Sequence, residues 1–180
     1  MGMPNYLRKN NRAASAIVAS AKDLAEYIFA ITNNEKQFGK IMRYTLSSEL
    51  RTCCIKMIEN IDIAYSIMPR HKKDYRRRIK YQQKAYEEII KLNSLIILSY
   101  SVASVRNKEQ LAKLFTIVLD DYNRWIKTDK RAFKNLPNKK QYRKILEKQK
   151  QKAMRTAQLK AVYKVMDKNE NGFIILKRKT

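Results

Sequence analysis

The sequence predicts an all-α protein: an up-down-up-down four-helix bundle followed by a basic helical extension. Three observations carry that expectation. Only three glycines and three prolines occur in 180 residues, which leaves little turn chemistry for a sheet of hairpins. Apolar residues return every three or four positions in four separate runs. The excess of positive charge, finally, is unevenly placed. Residues 1–128 hold 23 basic and 12 acidic side chains, a net of +11, whereas residues 129–180 hold 17 and 4, a net of +13. The predicted organisation is a basic N-terminal arm over 1–12, the bundle over 13–133 and the extension over 134–180.

The first predicted helix covers about 13–32, with Ile17, Ala21, Leu24, Ile28 and Ile31 on one face, and ends at Asn33 and Asn34. A second covers about 45–68 with the stripe Leu46, Leu50, Cys53, Met57, Ile61, Ala64 and Met68, and Pro69 stops it. It carries a further narrow stripe, Ile55, Ile63 and Ile67, which one core does not need. The third is expected after Asp74, read as its N-cap, and runs to about Val105. From Ile89 onward this helix is apolar nearly all round, so it must be buried on every side, centrally or against another subunit. The fourth starts near Asn107 and repeats Leu111, Leu114, Phe115, Val118, Leu119, Tyr122 and Ile126. Long helices with short links describe the up-down bundle.

After Phe133 the pattern thins. Asn135, Pro137 and Asn138 make a break, and 139–167 is dense in Lys, Arg and Gln with few apolar residues. Such a segment can be helical but cannot bury enough surface to fold alone. It reads as an arm that orders on a polyanion.

Chemistry of the catalytic kind has little material. His71 is the single histidine and sits among cations; the carboxylates are scattered, and the pairs Glu87–Glu88 and Asp120–Asp121 are adjacent and so cannot share a helix face. No glycine loop can cradle a phosphate. Cys53 and Cys54 are neighbours in an apolar run and read as reduced core residues. Asp167, Asn169, Asn171 and Gly172 imitate the start of a calcium-binding loop, but the twelfth position, which needs a bidentate Glu, is Arg178. The strand-like 173–176 follows where such a loop needs a helix. No enzymatic activity, metal or cofactor is expected. Residues 1–11 are polar and basic, the next apolar stretch is interrupted by Lys22 and Asp23, and the window 89–105 holds Lys91, Asn93 and four serines. Neither a secretory signal nor a membrane span is therefore expected, and the predicted location is cytoplasmic.

The strongest functional signal is charge. With 40 Lys and Arg against 16 Asp and Glu, the net is +24, which disfavours a compact state unless a polyanion supplies counter-charge. Seven basic residues fall within 70–80: Arg70, Lys72, Lys73, Arg76, Arg77, Arg78 and Lys80. The three consecutive arginines point in different directions on a helix and are expected to meet separate phosphates. Lys36, Lys40 and Arg43 precede the second helix, with Tyr44 beside them to stack on an unpaired base. Because the start of that helix and its link to the third lie at opposite ends of the bundle, positive charge is expected at both ends. In the extension, Lys139, Lys140, Arg143, Lys144 and Lys148 complete the expected contacts. The mode is backbone recognition with strong salt dependence, since no helix-turn-helix or zinc-finger pattern is present.

The run from Lys36 to Arg43 followed by Thr45 and Leu46, the segment Ile61-Asp62-Ile63-Ala64 and the leucine-rich third helix carry a family resemblance. The close of the fourth helix, Leu119-Asp120-Asp121-Tyr122-Asn123-Arg124-Trp125-Ile126-Lys127, is the most telling piece. Over about 24–127 the chain resembles the accessory variability determinant proteins of diversity-generating retroelements. More broadly it is similar to the bacterial four-helix-bundle family that includes proteins encoded in intervening sequences of 23S ribosomal RNA. The resemblance implies a homo-oligomeric, pentameric barrel of bundles with a basic surface. Its implied partners are a reverse transcriptase and template-repeat or other structured RNA, with the cDNA as a further candidate. It implies a subunit without catalysis that supports adenine-mutagenic cDNA synthesis by the polymerase. The tail after Phe133 departs from the family pattern by its length and charge. Two other readings stay open: an RNA-binding protein tied to ribosomal RNA intervening sequences, and a basic scaffold for acidic partners.

Overall fold

The computed structural model describes the backbone of residues 5–166 and the side chains of 12–138, 140–158 and 160. Every regular element among them is a helix: α1 (Asn5–Asn33), α2 (Lys40–Tyr44), α3 (Leu46–Ser66), α4 (Lys72–Val102), α5 (Lys108–Phe133) and α6 (Lys139–Met166). The chain divides into two units, Met1–Leu136 and Pro137–Thr180. The calcium-loop imitation and the strand-like 173–176 lie outside the described residues.

In the first unit α1 packs against α3 and α5, α4 packs against α3, and α4 meets α5 less extensively. The shared core follows most of the predicted periodicities, with Trp125 fully buried in α5 while the expected Ile126 is only partly so. Ile17, Leu24 and Ile28 of α1, Leu50, Cys53, Met57 and Ile61 of α3, Ile89 and Leu92 of α4, and Leu111, Val118 and Trp125 of α5 are fully buried. Each large apolar side chain removed from water contributes about 1.5–3 kcal/mol before entropy is counted. Phe38 adds a core residue from the α1–α2 link and is likewise completely buried. Beside it the Gln37 carbonyl accepts from Ser104 N at 3.0 Å and the Gln37 Oε1 accepts from Arg106 N at 3.1 Å, tying that link to the α4–α5 connection.

Several boundaries differ from the sequence expectation. Helix α1 begins at Asn5, so residues 5–12 extend the first helix and are not a separate arm. Residues 40–44 form their own short helix, set off from α3 by Thr45 (φ −109°, ψ −86°). Helix α4 starts two residues before Asp74, with His71 as its N-cap: the His71 Nδ1 accepts from Asp74 N, and the Asp74 carboxylate accepts in return from Arg70 N at 3.2 Å. Asp74 therefore occupies the third helical position, where a negative charge favours the positive end of the helix dipole.

The second half of α4 is also not buried all round within the chain. Ile90, Ile97, Leu98 and Val102 remain exposed, as do Ile55 and Ile63 of α3 and Met68 just beyond it. The core takes one stripe from each helix, and the isoleucines, Leu98 and Val102 lie off it. Met68 was expected on the core stripe but falls outside it because α3 ends at Ser66, two residues short of the expected bound.

A polar network is enclosed at the α3–α4 end. The Arg78 guanidinium of α4 donates through Nε and Nη2 to the Asp129 carboxylate of α5, and through Nη1 to the Ile67 carbonyl at 2.8 Å, just past the end of α3. Gln82 also donates to Asp129, and the Tyr122 hydroxyl donates to the Gln82 carbonyl at 3.0 Å. The guanidinium lies 5.3 Å from the Trp125 ring centre and 5.7 Å from that of Phe133. The side chains of Arg78 and Asp129 are 4% and 1% exposed, so neither charge can turn to water for compensation.

Two stability predictions arise here. Arg78→Ala or Asp129→Ala strands a buried charge and should cost about 3–5 kcal/mol in urea unfolding, whereas the double change Arg78→Met with Asp129→Leu should recover most of the loss. Alkaline pH is the second test. Burial pushes the Cys54 thiol from 9.0 up to about 12, and burial with the neighbouring Tyr86 pushes the Tyr122 phenol from 10.0 up to about 12. The native state thus holds protons that the unfolded chain releases, so stability should fall as pH climbs from about 9 towards 12. Cys54→Ala should flatten the lower part of that fall in melts taken across the range.

Candidate nucleic-acid interface

Helix α4 separates its early cations by period. Arg78 and Gln82 point into the core, and this sets the opposite face. Lys73, Arg77, Lys80 and Lys84 follow one another at spacings of four, three and four residues and are all exposed, with Arg76 beside them. Arg70 and Lys72 are exposed at the head of the same helix. Of the seven basic residues of 70–80, six face solvent and one does not. Arg78 is removed from the expected interface, because its guanidinium is consumed by Asp129, the end of α3 and two aromatic rings. The three arginines do point in different directions, and one of those directions is inward.

The same end gains cations from far along the chain. The Arg78–Asp129 pair and the Tyr75–Phe133 ring contact, 5.5 Å between centroids, fasten the last turns of α5 beside the first turns of α4. Lys127, Lys130 and Arg131 are exposed there. Lys84 and these three α5 residues were not among the expected contacts. The signal for Lys130 and Arg131 was local, since cations in a last helical turn suit the negative end of its dipole. Nothing local, however, placed them next to 70–80.

Lys36 and Lys40 are exposed at the other end of α3, beyond its first residue. The 21 residues of α3 separate the two clusters by about 30 Å at 1.5 Å per residue. Arg43 is half-buried and its Nη1 is paired with Glu35 at 2.7 Å, so part of its charge is already answered within the chain. Tyr44 is 77% exposed and open to stacking.

In the second unit, α6 opens with a reciprocal cap. The Asn138 Oδ1 accepts from Gln141 N at 2.9 Å, and the Gln141 Oε1 accepts from Asn138 N at 3.0 Å. This is the Asn-x-x-Gln form of the capping box, placed directly after Pro137. Over its 28 residues α6 carries ten basic side chains and one acidic, Glu147. Lys140, Arg143, Lys144 and Lys148 are exposed; Lys139 is the first helical residue, its side chain outside the described set. The cations spread over more than half the circumference, which suits a helix lying along a phosphate backbone more than one lying flat on a membrane.

The arrangement offers exposed guanidinium and ammonium groups at both ends of α3 and along α6. Among the described residues no three His, Cys, Asp or Glu side chains come together as a metal site, and no helix is long and apolar enough to cross a membrane. Because α6 belongs to a separate unit, a chain ending at Leu136 should keep a cooperative thermal transition and the helical circular dichroism of α1–α5. A non-cooperative melt of that truncation would show that the core needs α6.

No family model, curated protein or solved structure matches the chain.

Proposed function

We propose that this chain is a non-catalytic RNA-binding accessory subunit of the reverse transcriptase of a diversity-generating retroelement. In this reading α1, α3, α4 and α5 form an up-down-up-down bundle that assembles as a homopentameric barrel. The barrel holds template-repeat RNA and the polymerase, and so supports mutagenic cDNA synthesis in the cytoplasm. The observation that carries the nucleic-acid part is the exposed cation set Lys73, Arg76, Arg77, Lys80 and Lys84 joined by Lys130 and Arg131. The nearby carboxylate of Asp129 is already spent on Arg78, and a surface with an excess of positive charge attracts a polyanion.

Self-assembly is supported by a different feature. The outer face of α4 continues beyond Lys91 as Leu95, Leu98 and Val102. With Met42, Tyr44 and Leu46 these residues line an open groove of about 540 Å³. Leu98 and Val102 are 48% and 44% exposed, and contiguous apolar surface of this kind marks an interface. The resemblance in the α3 and α5 motifs supplies the polymerase and the pentamer.

The test is purification of the tagged chain from its native cell at low salt, with identification of what accompanies it. Recovery of a reverse transcriptase with one discrete non-coding RNA is expected; bulk or ribosomal RNA without a polymerase would move the function to the intervening-sequence class. On the recovered RNA, Arg76→Ala with Arg77→Ala should lower the slope of log affinity against log salt by up to about 2, near 0.9 per lost phosphate contact. Arg78→Ala should change the slope only by unfolding the protein.

A further inference from the structure

Where α4 meets α5, an open groove of about 400 Å³ is lined by Tyr86, Tyr122, Asn123, Ile126, Lys127 and Lys130. Its floor is held from below. The Tyr122 hydroxyl donates to the Gln82 carbonyl at 3.0 Å, and its ring meets Trp125 edge-on at 6.4 Å. Tyr122 is thereby fixed to the network of Arg78 and Asp129. Tyr86 lies on Tyr122 with ring centres 5.3 Å apart and planes 20° from parallel. Its ring is held nearly parallel to a buried one, yet the residue keeps 41% of its surface exposed.

The rim has a consistent chemistry. Asn123, Lys127 and Lys130 stand at i, i+4 and i+7 of α5, on one face, and all three are exposed. A flat aromatic platform, an amide with both donor and acceptor, and two ammonium groups are the parts that bind an unpaired nucleotide. The base stacks on the ring, the amide meets a base edge, and the lysines meet the flanking phosphates. An apolar peptide would find two lysines at the rim with no carboxylate among the lining residues, and duplex RNA offers no free base face.

We propose that the Tyr86–Tyr122 groove is a stacking site for an unpaired base of a single-stranded nucleic acid. The site extends the basic end formed by α4 and α5: Arg76 is the α4 arginine that lies towards the groove's side of that helix, so a strand held by Arg76, Lys127 and Lys130 can place one base in the groove. It rests on the nucleic-acid-binding reading above, and it adds a preference for unpaired over paired strands that charge alone does not supply.

The test uses the full chain with two probes, a short oligouridine and an RNA duplex of equal phosphate count. Tyr86→Leu should weaken oligouridine binding about fivefold to a hundredfold, the range for loss of one base–aromatic stack. Duplex affinity and its salt slope should stay unchanged, and Tyr86→Phe or Tyr86→Trp should retain oligouridine binding. Lys127→Gln with Lys130→Gln should reduce the oligouridine salt slope. A readout free of mutation is photocrosslinking of iodouridine-substituted oligouridine to the unaltered protein, with the adduct expected on Tyr86. Equal loss on both probes, no loss on either, or adducts confined to Tyr44 would overturn the stacking site while leaving RNA binding intact. Failure of the unaltered protein to bind either probe would remove the nucleic-acid reading and the groove with it.

Discussion

The pairing of Arg78 with Asp129 is the constraint on which the rest of this molecule depends. A guanidinium and a carboxylate are both withdrawn from water between α4 and α5, and each is tolerable there only because the other is present. The arginine's third direction of donation reaches the Ile67 carbonyl past the end of α3, so one side chain joins three helices. The pair fixes the rotation of α4 about its own axis. Once Arg78 faces inward, Lys73, Arg77, Lys80 and Lys84 must face out, and Gln82 is carried to Asp129 and to the Tyr122 hydroxyl. Packing and charge display are therefore set by one contact.

The same contact places charge without neutralising it. Among the described residues, Lys91–Glu49 at 3.5 Å, with side chains 48% and 56% exposed, is a surface ion pair of the kind that contributes little. Asp129 would be the nearest answer to Lys130 and Arg131 were it not enclosed. Enclosing it withholds the Asp129 carboxylate from the surface cations of α4 and α5. Their repulsion raises the free energy of the chain by itself and lowers it in contact with a polyanion. The second unit follows this logic in simpler form, as a capped helix of high charge whose few apolar side chains offer little to a core.

Much of the helical framework was legible before folding. The stripe Ile17–Ile31 and the stripe that begins at Leu46 landed in the core, the latter as far as Ala64, because a period of 3.6 residues admits one buried face. Met68, its last expected member, lies past the end of α3 and is exposed. The break at 135–138 ends in a capping box, Asn138 with Gln141, whose signal is local. Illegible were features that depend on what another helix does. Asp74 resembled an N-cap and is the third residue of α4, since His71, two residues before that helix's second lysine, supplies the cap. The apolar second half of α4 promised burial on every side, yet a single chain provides neighbours for only part of its circumference.

What the sequence determined by itself is the helical class, the identity of most core residues, the two basic clusters flanking α3 and the separateness of the extension. All of these follow from spacing and composition within a few turns of chain. The tertiary structure alone decided that one of three adjacent arginines is internal and that Lys127, Lys130 and Arg131 join a cluster some fifty residues earlier. It alone brought Tyr86 onto Tyr122. The physical reason is common to the three. A local pattern states that a side chain is charged or aromatic, but whether it meets water, a carboxylate or another ring depends on the element packed opposite, and that pairing is settled only when the buried charges of α4 and α5 find each other.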